Sequence, residues 1–140
     1  MNWLDNEKSR IRKSHIVNLI SLALADGQID KTEQDLLIKI ATQIGMSADE
    51  FEEILEYPDK IKFSVPETKQ EIAVQFLDMC LMMLADGKIM DSEMVFLKII
   101  ARKLGFPEDK FDKIIGDVID DINRKIEREL LLRKIQLQLI

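Results

Sequence analysis

The six residues Leu24-Ala25-Asp26-Gly27-Gln28-Ile29 return sixty positions later as Leu84-Ala85-Asp86-Gly87-Lys88-Ile89. The register holds downstream: Glu33 meets Glu93, Leu37 meets Leu97, and Ile40-Ala41 meets Ile100-Ala101. Gly45 then meets Gly105, Asp49 meets Asp109, Phe51 meets Phe111 and Ile54 meets Ile114. Identity falls at the turn, at apolar positions of helical spacing and at the next glycine, which marks a repeated structural unit.

Each unit reads as helix, turn, helix, short helix. Long helices over about 8–25 and 67–85 end at Ala-Asp-Gly, where Gly27 and Gly87 supply the positive-φ residue that closes a helix. The next helices span about 31–44 and 91–104 and stop at Gly45 and Gly105. Leu36, Leu37, Ile40, Ala41 and Ile44 line one face of the first, as Phe96, Leu97, Ile100, Ala101 and Leu104 line the second. Asp30 with Glu33 forms a capping box. The second copy has Met90 where Asp30 stands, so its cap shifts to Asp91. Ser47 with Glu50 caps the short third helix, and Pro107 starts its counterpart. Residues 72–85 are apolar almost all round, as befits a helix in the middle of a bundle. A final helix over about 118–139 brings the total to seven. The expected fold is an all-α bundle in one domain, 1–140. Repeat 1 spans about 8–57, a linker 58–66, repeat 2 about 67–118 and a C-terminal helix 119–140.

Paired Ala-Asp-Gly-x-Ile motifs, each followed by Glu33 or Glu93 and then by Ile44-Gly45 or Leu104-Gly105, resemble the TerB family. The N-terminal domains of some membrane-anchored DnaJ-type cochaperones are similar. The resemblance covers roughly residues 8–120. It implies a TerB-like all-α fold and a bacterial stress context linked to tellurite resistance and metal sensing. The His-Pro-Asp tripeptide of J-domains is absent, so their chemistry is not implied.

The turns also invite comparison with a calcium-binding EF-hand loop. Asp26, Gly27, Ile29, Asp30 and Glu33 fall at loop positions five, six, eight, nine and twelve, which puts Leu22 and Leu24 at one and three. Met82 and Leu84 take those places in the second copy. A hard cation needs oxygen there, so neither loop is an ordinary EF-hand. Two readings stay open. If the copies pack about a pseudo-two-fold axis, Asp26, Asp30, Glu33, Asp86, Asp91 and Glu93 form a carboxylate cluster whose mutual repulsion a divalent cation of unspecified identity would relieve. Alternatively, each carboxylate caps a helix and meets its N-terminal dipole.

Little else points to chemistry. His15 is the only histidine and reads as a surface or half-buried helix residue. Cys80 reads as a small core residue and, as the single cysteine, fits a reducing compartment. Met79, Met82, Met83, Met90 and Met94 read as core filler. No phosphate loop, Cys-x-x-Cys, His-Glu-x-x-His or nucleophile elbow occurs, and no enzyme activity is expected. The sequence pI of about 4.9 argues against duplex nucleic acid as a partner. With a polar start and no stretch of roughly 20 apolar residues, the chain is expected in the cytoplasm.

The tail offers a surface. Seven of the last eleven residues are aliphatic. They spread wider than one core-facing stripe, so Leu131, Leu132, Ile135, Leu139 and Ile140 are candidates for a protein partner or homodimer interface. The competing reading packs this tail across the bundle. Arg124, Lys125, Arg128, Arg133 and Lys134 add peripheral membrane association as a third option.

Overall fold

In the computed structural model, residues 3–85 and 87–139 are described, with side chains from Glu7 onward apart from that of Asp26. Seven α-helices and no strand occur among them: α1 Trp3–Ala23, α2 Lys31–Gln43, α3 Ala48–Glu56, α4 Lys69–Leu84, α5 Asp91–Leu104, α6 Phe111–Asn123 and α7 Arg128–Gln136. Short 3-10 turns at Leu24–Asp26, Pro58–Lys60 and Glu108–Lys110 join them.

The apolar helix is central. α4 packs against α1, α2, α5, α6 and α7, which is why it can bury Phe76, Leu77, Met79, Cys80, Met82 and Met83 on several sides. One cluster of buried side chains gathers residues from every helix, and the Phe76 and Phe106 rings meet within it at 4.6 Å. Leu22 and Met82, the residues at EF-hand position one, lie in this core at 0% and 1% exposure.

The turns follow their residues. Gly27 and Gly87 take φ of 102° and 78° and donate their N–H groups to Leu24 and Leu84. α2 and α5 each close with a Schellman motif. Gly45 N–H donates to Thr42 O and Met46 N–H to Ala41 O; Gly105 donates to Arg102 O and Phe106 to Ala101 O.

Three expectations are corrected. Helix α1 starts at Trp3 rather than near residue 8. The anticipated final helix over 118–139 is two helices, broken between Asn123 and Arg128. A third Schellman motif makes that break: Lys125 adopts φ of 59°, its N–H donates to Ile122 O, and Ile126 N–H donates to Asp121 O. Lysine is not a residue that announces a left-handed cap. The cap of α5, expected at Asp91, sits at Met90 instead.

Candidate functional site

The starts of α2 and α5 follow the two Asp-Gly turns. At α2 the capping box is complete: Glu33 N–H donates to Asp30 Oδ1 at 2.7 Å, and Asp30 N–H donates to Glu33 Oε1 at 3.1 Å. At α5 only half of it exists, because Met90 offers no oxygen; its N–H donates to Glu93 Oε1 at 3.0 Å. Both glutamates are buried, Glu33 at 1% and Glu93 at 0% exposure, while Asp30 and Asp91 are exposed. Few surface caps bury a carboxylate this deeply.

The two halves meet near these turns. The 3-10 turn Leu24–Asp26 packs on α5, and α4, which leads into the second turn, packs on α2. The side chain of Asp26 and all of Asp86 lie outside the described residues. Among the described residues no three His, Cys, Asp or Glu side chains gather where they could hold a metal. The donors of the two turns are all carboxylate oxygens, which suits a hard cation rather than a soft one. One oxygen of each buried glutamate is committed to the backbone.

A second polar cluster was not anticipated from sequence. His15, expected at the surface or half-buried, is 2% exposed, and its Nε2 lies 2.8 Å from Oδ2 of Asp78, itself 3% exposed. With Asp78 ionised, Nε2 carries the proton and donates. Arg128 of α7 reaches the other Asp78 oxygen at 4.0 Å, so one buried carboxylate links α1, α4 and α7. The sequence signal was slight: Gln75 and Asp78 interrupt an otherwise apolar run.

Cys80 is fully buried, and burial in apolar surroundings pushes its thiol well above the ordinary cysteine range. The nucleophilic thiolate is therefore suppressed. In the tail, Leu131, Leu132, Ile135 and Leu139 are core residues at 5%, 7%, 1% and 9% exposure, with α7 packed on α4 and α6. That placement answers to the packing reading of the tail; Ile140 lies outside the described residues. The tail's exposed aliphatics are Leu130 and Leu137. Among the described residues no helix is long and apolar enough to cross a membrane.

No curated protein and no solved structure gives a significant match to the chain. The family comparison does: residues 5–56, the segment of α1 to α3 with the first Asp-Gly turn at its centre, match the family model described as tellurite resistance protein TerB.

Proposed function

We propose that this TerB-like chain is a non-enzymatic binding protein of the cytosol that takes a divalent cation at its paired acidic turns and engages a protein partner in response. The observation that carries the reading is the pair Glu33 and Glu93. They are ionisable, almost wholly buried, and sixty residues apart at the same place behind an Asp-Gly turn. Burying a carboxylate is costly unless opposite charge or directed donors compensate. Asp26, Asp30, Asp86 and Asp91 stand beside these glutamates in sequence and bring further oxygen donors of the kind calcium, magnesium or manganese prefers. The cation would join the carboxylate oxygens of the two turns; the chain supplies two helix starts that hold the carboxylates in place.

The test uses a chelator-stripped protein titrated calorimetrically with calcium, magnesium, manganese and zinc. Glu33→Gln and Glu93→Gln retain the hydrogen bond that glutamine also makes in a capping box but remove the charge. Cation binding that weakens at least about tenfold in both variants, with the apo melting temperature preserved, supports the site; tenfold corresponds to about 1.4 kcal/mol. Binding that is absent, or unchanged in both variants, leaves the turns as helix caps. Function would then rest on protein contacts alone.

A further inference from the structure

A cavity of 280 Å³ opens between α1, α4 and the end of α2. Its lining includes none of the acidic-turn residues. Ile11, Ile44 and Val74 give it apolar walls. At its inner side stand His15, oriented by Asp78, and Gln75 of α4. Gln75 is 7% exposed, yet its carboxamide makes no hydrogen bond to the described residues. The amide is not sealed within the protein; Gln75 lines the hollow, where a ligand can meet it.

Charge narrows the occupant. Arg12 is already balanced, with its guanidinium 2.9 Å from Glu50. The remaining charged lining residues are Lys8 on α1 and Glu71 on α4, both exposed. No ion pair forms between them or from either to another described residue. The cavity thus presents one cation from α1 and one anion from α4, an idle amide at Gln75, and an apolar lining. Its volume falls just below the roughly 300–1,000 Å³ typical of ligand pockets, which limits the occupant to a small molecule.

We propose that this cavity binds a small zwitterion with an apolar body, of the size and chemistry of an apolar α-amino acid. The ligand carboxylate accepts hydrogen bonds from Lys8 and the Gln75 amide. Its ammonium faces Glu71, and its side chain lies against Ile11, Ile44 and Val74. Neutralising both charges in one ligand is what separates this site from a general anion or cation patch.

The test is a titration of the full chain, followed by amide NMR shifts, with L-leucine, L-phenylalanine, 4-methylpentanoate and 3-methylbutylamine to about 10 mM, a range that captures millimolar affinities. The expected result is saturable binding of an amino acid, with shifts centred on α1 and α4, and at least tenfold weaker binding of both single-charge analogues. Lys8→Met and Glu71→Gln each weaken it, Val74→Trp fills the cavity and abolishes it, and Lys113→Met, in a distant surface ion pair, leaves it unchanged. Should Val74→Trp fail to fold, Gln75→Leu serves, with weakening expected at an unchanged helical spectrum. Binding of 4-methylpentanoate as tight as that of leucine, or tightened by Glu71→Gln, overturns the zwitterion in favour of a plain anion. No saturable binding by any probe, or binding indifferent to the cavity variants, overturns the site.

Discussion

The first and second halves solve the same problem at the starts of α2 and α5 with different completeness. Asp30 and Glu33 satisfy one another's backbone donors. Sixty residues on, Glu93 still reaches back to Met90 N–H, but no side chain caps in return. The half of the box that the second copy lacks is the exposed one, and the half present in both is the buried glutamate. The second copy thus starts α5 without a side-chain cap from its first residue and keeps only the buried glutamate's bond to the backbone.

The contrast widens one helix later. In the first half Glu50 accepts hydrogen bonds from Ser47 N–H at 3.0 Å, Ser9 Oγ at 2.6 Å and Arg12 at 2.9 Å, which ties α3 to α1. Lys13 adds a bond to Glu53 at 2.6 Å. The second half has Lys110 in the place of Glu50 and Pro107 in the place of Ser47. There α6 buries Phe111, Ile114, Ile115 and Val118, and its polar ties are single ion pairs, Asp112 with Lys98 of α5 and Asp121 with Lys134 of α7. Glu50→Ala is expected to lower unfolding free energy by about 2–3 kcal/mol, since a charge-assisted network and a cap are lost together. Lys110→Ala, at an exposed position, should stay within about 0.5 kcal/mol. Equal effects in urea denaturation would erase the contrast.

The Glu50 carboxyl also gives the difference a pH signature. Burial opposes its charge, but Ser47 N–H, the Ser9 hydroxyl and Arg12 outweigh burial and hold its pKa at about 2, below the ordinary 4.5. A depressed carboxyl pKa contributes stability that is fully present above 4.5 and is lost as pH falls through about 2. Urea midpoints measured across that acidic window should fall more steeply in the parent chain than in Glu50→Gln.

Much of this was written in the sequence because it is local. The Asp-Gly turns, the Asp30 and Ser47 caps and the glycine stops at Gly45 and Gly105 each depend on residues within a turn of one another. The apolar spacing of α2 and α5 and the all-round apolarity of α4 likewise placed those helices, and α4's central position. What escaped depends on distance. His15 meets Asp78 across 63 residues, and the cavity beside them joins three helices that no periodicity brings together. The tail escaped for another reason. Its aliphatics cover α4 and α6, but a broad apolar face looks the same in sequence whether it meets its own bundle or another chain.

The half-box can be completed. Met90→Asp restores to α5 the acceptor that Asp30 gives α2, and should add about 1 kcal/mol, the usual value of a good N-cap. Asp30→Ala should remove about as much from α2. If the melting temperature does not rise in Met90→Asp, the exposed half of the box contributes nothing in this context, and the Asp30 variant should then be silent too.

The smallest expected effect concerns the three Schellman motifs. Two close on glycine, at φ of 77° and 101°, and the third closes on Lys125 at 59°. A side-chain-bearing residue in the left-handed region carries a steric penalty that glycine escapes, but glycine also loses more backbone freedom on folding. The two effects oppose one another, and the steric one is the larger. Lys125→Gly should therefore stabilise by about 0.5–1 kcal/mol, read as a higher urea midpoint with an unchanged slope. Gly105→Ala should do the reverse by about 1 kcal/mol; open space surrounds that position, so no clash confounds the backbone term. A destabilised Lys125→Gly variant would mean that the lysine side chain itself holds the α6–α7 corner. The left-handed cap would then follow from tertiary contacts of the tail rather than from the local rule that governs the two glycine stops.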